Sequence, residues 1–389
     1  GVGGILTEAL SDVVFRLAPL TCQDATDMIA SIRSRSLLES FRGEEAVDRE
    51  RLMDTLMGLS AIAADFPEIS EIDINPLIAT ATGAVKAVDA LITLAEPYPR
   101  ATDAHPVPPP AIHSLFYPRS VAFIGASAQM GKWGHMLICN TISGGYLGEV
   151  YAVNPKGGLI AGKPAFKTIA EIPGEVDLAV VTLPAAAIMN LIPQLKAKGI
   201  KNVVLITSGF GETGADGKSL ERQLAREARS AGILILGPNT MGICNPHIHF
   251  FCTGTSVRPL PGSTVVVAQS GNMGTQLLAF AESQGIGIRA FSGSGNEAMI
   301  TIEDYMEGFE VDKLTRTVMI YIESVKQGRR LYESARRVSQ KKPIVLHKGG
   351  QTRSGNRAES SHTGAMASDT RLFNAMCLQA GLVKVDQPT

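Results

Sequence analysis

From residue 113 onward, short, predominantly apolar runs alternate with longer stretches of helical period. Residues 120–125, Ser-Val-Ala-Phe-Ile-Gly, form the first run, and 149–154, 176–183, 202–207 and 233–237 follow. A strand with no polar face must be covered on both sides. Such runs with helices between them therefore predict a parallel sheet flanked by helices. A second series starts at 263–268 and continues through 287–292, 317–322 and 343–347. Between the two lies a turn-forming break, Arg258-Pro-Leu-Pro-Gly262. The pattern predicts an α/β chain with two consecutive open domains, residues 113–258 and 259–389.

Ahead of them, residues 101–112 read as a linker. Four prolines in Ala101-Thr-Asp-Ala-His-Pro-Val-Pro-Pro-Pro-Ala111 favour extended polyproline II and oppose helix. The linker sets off an N-terminal region, residues 1–100. The chain opens Gly-Val-Gly-Gly-Ile-Leu, without an initiator Met and already in a strand-like run, and it stops just after another such run. A fragment of a longer polypeptide is expected.

Composition narrows the functional classes. With 389 residues there is room for two or three domains with substantial cores. A formal net charge of −1 argues against nucleic acid or an anionic membrane as the main partner. No apolar run reaches the length of a membrane span. The five cysteines are scattered without metal-type spacing, as expected of reduced thiols in a cytoplasmic protein.

The first strand of the 113–258 domain runs into Gly125-Ala126-Ser127, then Gly131 and Gly134, before a helix. A glycine turn between a strand and a helix N-terminus is a ready phosphate site, although the dinucleotide spacing Gly-x-Gly-x-x-Gly is absent. After the second strand comes Asn154-Pro-Lys156, where NAD enzymes usually place an acidic residue for the ribose. A lysine there would attract a phosphorylated ribose. Coenzyme A, with its 3′-phosphate, fits better than NAD, and NADP is also compatible. The plain alternative is a solvated lysine in a turn. Two further loops fall at strand carboxyl ends, one at Pro184 and one at Gly237-Pro-Asn239-Thr240-Met-Gly242.

The second domain repeats the strand–turn–helix unit at Ser270-Gly271-Asn272, where free backbone N–H groups and the helix dipole favour a phosphate dianion. Strand 317–322 ends at Glu323, whose carboxylate suits a hydrogen bond to an imidazole. One such imidazole, His362, lies in a long Gly/Ser-rich polar stretch after the strand-like run 343–347. The high ordering cost of that composition predicts a mobile loop. Neutral imidazole is nucleophilic and forms an N-phosphate that transfers readily. Taken alone, Ser-His-Thr-Gly reads most simply as an ordinary loop.

Together these motifs resemble the NDP-forming acyl-CoA synthetases, relatives of succinyl-CoA synthetase. Gly125-Ala-Ser, Asn154-Pro-Lys156, Gly237–Gly242, Gln269-Ser-Gly-Asn272, Gly293-Ser-Gly-Asn296, Tyr321-Ile-Glu323 and Ser360-Ser-His-Thr-Gly364 carry the resemblance, in order, from 113 to about 385. It implies a Rossmann-like CoA-binding domain followed by a flavodoxin-like ligase domain. It implies that His362 is the phosphohistidine, Glu323 its partner and Ser270–Asn272 its phosphate site. It also implies CoA contacts from Gly125, Ala126, Ser127, Asn154, Lys156, Pro184, Asn239 and Thr240. Thr240-Met241 departs from the succinyl-CoA enzymes themselves, which favours the broader acyl-CoA group.

The N-terminal region resembles the late part of the same family's ATP-grasp domain, through residues 3–19, Glu71-Ile-Asp-Ile-Asn75-Pro-Leu77 and Val85-Lys-Ala-Val-Asp89. Asn75 and Asp89 end adjacent strand-like runs and offer hard oxygens for Mg²⁺ between nucleotide phosphates. A hairpin with polar ends is the alternative. The implied reaction joins a carboxylic acid to CoA with ATP, or another NTP, releasing ADP and phosphate. The expected partners are the acid or acyl-CoA, the rest of the ATP-grasp domain and further copies of the chain. The rival readings are a CoA-sensing regulatory module and an NADP-dependent oxidoreductase. The first expects the histidine to be lost, and the second gives the His362 loop no role.

Overall fold

The computed structural model describes residues 1, 12–40, 45–96, 105–350 and 370–387. His362 lies outside the described residues. The chain divides into two compact units, residues 1–103 with 369–379, and 104–368 with 380–389. No helix among the described residues is long and apolar enough to cross a membrane.

The first unit begins with two helices, each started by a polar cap. Helix α1 (Cys22–Ser31) carries a capping box, in which Asp24 N–H donates to Thr21 Oγ1 and Thr21 N–H donates to the Asp24 carboxylate. Helix α2 (Arg49–Asp65) is capped by Asp48, which accepts from Arg51 N–H. Strand β1 (Ile69–Ile74) is followed by the short antiparallel pair β2 (Leu77–Ala79) and β3 (Val85–Ala87). Strand β4 (Ala90–Leu94) then returns antiparallel to β1. The helix Thr370–Gln379 belongs to this unit, and its Gln379 side chain accepts from Leu17 N–H and donates to Leu17 C=O.

The second unit opens with helix α3 (Pro109–Phe116). The prolines predict extended chain through 112. Pro109 and Pro110 instead fall in the first helical turn, where the missing N–H has no intrahelical partner to lose. Ile112, Leu115 and Phe116 supply the buried face that holds the turn. Strand β5 (Ser120–Ile124), helix α4 (Trp133–Ser143) and strand β6 (Glu149–Val153) come next, then the hairpin β7 (Leu159–Ile160) and β8 (Lys163–Phe166). Strand β9 (Leu178–Val181), helix α5 (Ala185–Lys198), strand β10 (Asn202–Leu205), helix α6 (Ala215–Ala231) and strand β11 (Leu234–Leu236) complete a seven-stranded sheet, order β11-β10-β9-β5-β6-β8-β7. All residues of β5 and β9 are buried, as their nearly continuous apolar pattern requires, and the one polar residue, Ser120, donates its hydroxyl to Glu175 C=O.

The second sheet starts with the hairpin β12 (Gly242–Asn245) and β13 (Phe250–Thr253), followed by β14 (Pro261–Ala268), helix α7 (Gly271–Ser283) and β15 (Ile288–Gly293). Helix α8 (Ile302–Glu310), β16 (Thr317–Ile322), helix α9 (Gly328–Ser339), β17 (Ile344–Lys348) and β18 (Val383–Val385) finish it. The order is β13-β12-β15-β14-β16-β17-β18, parallel from β15 to β18. The hairpin at 242–253 precedes residue 258 in the chain yet pairs antiparallel with β15 of this second sheet. That pairing carries the loop after β11 directly to the carboxyl ends of β14, β15 and β16. The architecture is α/β, Rossmann-like in the first sheet and flavodoxin-like in the second.

Candidate functional site

The glycine turn after β5 is built by close packing. Gly125 has φ +92°, a conformation open to glycine, and its N–H donates to Val153 C=O. Thr182 at the end of β9 donates its hydroxyl to Gly125 C=O at 3.0 Å. Gly134, in the first turn of α4, approaches so closely that a Cβ there would stand 2.2 Å from the Gly125 carbonyl oxygen. The helix can therefore start directly over the turn. Ala126 is buried and Ser127 half-buried, and His135 on α4 reaches back to Ser127 C=O through Nδ1.

Asn154 binds the same turn. Its Nδ2 donates to Ala126 C=O at 2.7 Å, and its Oδ1 accepts from Lys156 N–H at 2.9 Å. An Asx turn thus presents the exposed Lys156 at the carboxyl edge of β5, β6 and β9. Pro184 is exposed at the N-terminus of α5, on the same edge of the sheet. Gly125, Ala126, Ser127, Asn154, Lys156 and Pro184 form one group. A glycine turn opening a helix beside a lysine offers the kind of donors that a phosphate of CoA would need.

Asn239 and Thr240 join a second group, in the cleft between the two sheets of this unit. Asn239 has φ +58°, and its Nδ2 donates to Asn296 Oδ1. The buried Thr240 donates its hydroxyl to Gly293 C=O. Asn296 in turn donates Nδ2 to Glu212 at 2.5 Å and to Glu221 at 2.8 Å. Burial opposes ionisation of Glu212, but Asn296 and the N–H groups of Gly209 and Phe210 hold its carboxyl below the usual range. A cavity of about 130 Å³ opens here, and Glu323, Gln269, Glu297 and Lys326 line it with Glu212 and Asn296.

Glu323 follows the last residue of β16, and Gln269 follows the last residue of β14 beside it. The Gln269 side chain holds the Glu323 loop at three points. Its Oε1 accepts from Glu323 N–H at 2.6 Å and Ser324 N–H at 2.9 Å, and its Nε2 donates to Ser324 C=O at 3.0 Å. Ser270 is the N-cap of α7, with no side-chain capping bond, and Gly274 N–H donates to its carbonyl. Ser270, Gly271 and Asn272 therefore start a helix whose dipole favours an anion, one residue beyond the glutamine that fixes Glu323.

In the first unit, Asn75 N–H donates to Asp89 C=O at 3.3 Å, which places the two residues opposite each other where β1 meets β4. Both are exposed. One carboxylate and one amide oxygen side by side suit Mg²⁺, which keeps several waters and takes phosphate oxygens as further ligands. Among the described residues, no group of three or more His, Cys, Asp or Glu is arranged to hold a metal.

Sequence reasoning passed over Glu212, Glu221, Glu297 and Lys326. The motif quoted for the Gly293 loop stops one residue short of Glu297. The two glutamates come from a segment with no motif of its own, and only the fold brings them to the cleft.

Two α/β sheets share a polar cleft, with a strand-to-helix glycine turn on one and a helix N-terminus that favours an anion on the other. Family models match along the chain in the same order: an ATP-grasp domain over residues 1–94, a CoA binding domain over 119–246 and a succinyl-CoA ligase like flavodoxin domain over 261–389. The chain belongs to the NDP-forming acyl-CoA synthetase family. It is 36% identical over 391 residues to acetate–CoA ligase [ADP-forming] II of Archaeoglobus fulgidus, covering 99% of this chain and 56% of that one. It is 41% identical over 278 residues to the alpha subunit of acetate–CoA ligase [ADP-forming] I of Pyrococcus furiosus, covering 70% and 60%. A solved structure of the Ca. Korarchaeum cryptofilum dinucleotide-forming acetyl-coenzyme A synthetase 1, in complex with phosphate and ADP, superposes with TM-score 0.67 at 33% identity, covering 71% and 60%. The chain thus spans 56% to 60% of the length of these relatives.

Proposed function

We propose that this chain carries the CoA-binding and phosphoryl-transfer machinery of an ADP-forming acid–thiol ligase. The observation that carries the reading is that Gln269, which lines the cleft beside Glu323 and holds its loop, is followed directly by the Ser270 helix N-terminus. In the forward direction a ring nitrogen of His362 attacks the γ-phosphorus of ATP. An N–P bond forms, the P–O bond to ADP breaks, and ADP leaves. The carboxylate of the acid then takes the phosphoryl group, giving an acyl phosphate and restoring the imidazole. Finally the CoA sulfur attacks the acyl carbon, the thioester forms and phosphate departs.

Each group has a task set by its chemistry. Glu323 accepts the imidazole N–H, fixes the tautomer and raises the nucleophilicity of the other nitrogen. Ser270, Gly271 and Asn272 hold the phosphoryl dianion with backbone N–H groups. Gly125, Ala126, Ser127, Asn154, Lys156 and Pro184 bind CoA, with Lys156 on its 3′-phosphate. Asn239 meets the acyl end of the same substrate from the cleft, and the buried Thr240 contributes by holding that loop to Gly293. Asn75 and Asp89 would hold Mg²⁺, which supplies neutralisation of phosphate charge. The acid is a carboxylic acid small enough for the cleft. The nucleotide is ATP or another NTP, and its site is completed by the remainder of an ATP-grasp domain, in the same polypeptide or a companion subunit. The protein acts in the cytoplasm, as a homo-oligomer.

Incubation of the full-length protein, with its ATP-grasp domain complete, with radiolabelled ATP and Mg²⁺, beside a His362→Ala variant, tests the reading. An acid-labile, base-stable label present only in wild type supports it. Absence of label from a protein that still binds CoA would turn the assignment to a CoA-sensing module.

A further inference from the structure

Two glutamates of the cleft, Glu212 and Glu221, have no part in this mechanism, yet they head a hydrogen-bond chain that ends at Asn239. Glu221 Oε2 accepts from Gly211 N–H at 3.0 Å and from Asn296 Nδ2 at 2.8 Å. Glu212 accepts from Asn296 Nδ2 through Oε2, and from the N–H groups of Gly209 and Phe210 through Oε1. The Asn296 nitrogen thus faces two carboxylates, and an amide has only two N–H donors to give. Its Oδ1 can only accept, and Asn239 Nδ2 donates to it at 3.2 Å. Backbone bonds hold the two asparagines in place. Asn296 N–H donates to Pro238 C=O at 2.9 Å, Ala298 N–H to Gly237 C=O at 3.0 Å, and Asn239 N–H to Thr207 C=O at 2.9 Å. Asn239 lines the cavity, and among the described residues its Oδ1 has no hydrogen-bond partner.

We propose that Glu212 and Glu221 are positioning residues: through Asn296 they turn the Asn239 amide so that its Oδ1 offers an acceptor to a donor on the thiol arm of CoA. The argument is one of polarity. An ionised carboxylate only accepts, so Asn296 must give its nitrogen to the glutamates and its oxygen to Asn239. Asn239 must then give its nitrogen to Asn296, and its oxygen is what remains for a ligand. The chain also spans the two sheets. Glu212 lies in the turn before α6 and Glu221 on α6, whereas Asn296 follows β15. The donor that Oδ1 calls for is an N–H or an S–H. The thiol arm of CoA carries both, as two amides and a terminal thiol. Glutamine in place of the glutamates can donate as well as accept, so the Asn296 amide is then free to face either way and the polarity of the chain is lost.

The proposal rests on the CoA reading of the cleft, and binding rather than turnover tests it. Titration calorimetry on the full-length protein compares CoA with adenosine 3′,5′-bisphosphate, which has the nucleotide end of CoA and no thiol arm. Glu212→Gln combined with Glu221→Gln should weaken CoA by about tenfold, the worth of one hydrogen bond, and leave the bisphosphate unchanged. Asn239→Gly removes the acceptor at a position whose φ of +58° suits glycine, and it should show the same selective loss. All three substitutions together should lose no more, because they act through one atom. Desulfo-CoA, which keeps both amides and lacks the S–H, identifies the donor. If wild type and variants bind it alike, the donor is the thiol; if the tenfold difference persists, it is an amide N–H. An unchanged CoA affinity, a loss shared equally by the bisphosphate, or losses that add would overturn the proposal and leave the CoA reading intact. Wild type that binds neither ligand takes both down. If the selective pattern holds but no thioester forms, the positioning role stands and the ligase reading falls.

Discussion

Gly134 packs onto the carbonyl of Gly125, nine residues earlier, so that a Cβ at 134 would stand 2.2 Å from that oxygen. The contact brings the start of α4 over the end of β5 and gives the turn its shape. Gly134→Ala cannot be absorbed by a rotamer change, because the atom it meets is backbone. The helix must shift, at a cost of about 1–3 kcal/mol. A lowered urea midpoint with unchanged slope would register this, and CoA affinity should fall with it. Gly131→Ala is a contrasting control, since no atom lies within 4 Å of its Cβ position and only its φ of +83° opposes the change.

Lys156 gives a sharper test of what the turn recognises. If it meets the 3′-phosphate, Lys156→Ala weakens CoA by about tenfold, the worth of one exposed charge-assisted contact. Dephospho-CoA should bind wild type and variant equally. Titration calorimetry with both ligands distinguishes this from a lysine that is merely solvated. Added salt should narrow the wild-type preference for CoA, because an exposed pair is screened.

Asn296 keeps Glu212 and Glu221 together by donating to both. Asn296→Ala removes the shared donor and should cost about 1–2 kcal/mol at neutral pH. Glu212 has a folded-state pKa below its unfolded value, so its stabilisation is present above the ordinary carboxylate range and is lost as pH falls through the depressed value. Without Asn296 that depression shrinks. Wild type should therefore lose more stability than the variant between about pH 6 and about pH 3, as urea midpoints across that range would report.

How far the sequence could be read follows from the range of the interactions involved. Strands such as Ser120–Ile124 and Thr317–Ile322 were legible because a strand buried on both faces must be apolar throughout, which is a local property. The glycine turn and Asn154-Pro-Lys156 were legible because turn chemistry is local too. The helix at Pro109 was not, since its formation depends on burying Ile112 and Phe116 against distant parts of the fold. Nor was the pairing of Gly242–Asn245 with β15, which rests on contacts nearly fifty residues away in the chain. The cleft carboxylates are the clearest case. Glu212, Glu221 and Glu297 occupy unremarkable polar contexts in the sequence, and Asn296 and Gln269 acquire their roles only through bonds spanning more than fifty residues.

Arg289 and Asp312 form a buried ion pair in the second sheet, 2.7 Å apart, with Arg289 only 1% exposed. The Arg289 guanidinium also lies over the Tyr117 ring, 5.2 Å from its centroid. Burial opposes ionisation of Asp312, but Thr315 and Arg289 outweigh it and hold the carboxyl below the ordinary range. Asp312→Ala strands a buried cation, and about 3–5 kcal/mol of stability should go with it. The pair also sets an acid limit. With its folded pKa depressed, the contribution of Asp312 is complete above the unfolded carboxylate pKa and disappears as pH falls through the folded one. Acid denaturation of wild type should therefore include a component that is missing from a double variant, Arg289→Met with Asp312→Leu. If apolar packing fills the site, the double variant should recover much of the loss of the single one. A double variant as unstable as Asp312→Ala would instead point to cavity formation as the larger cost.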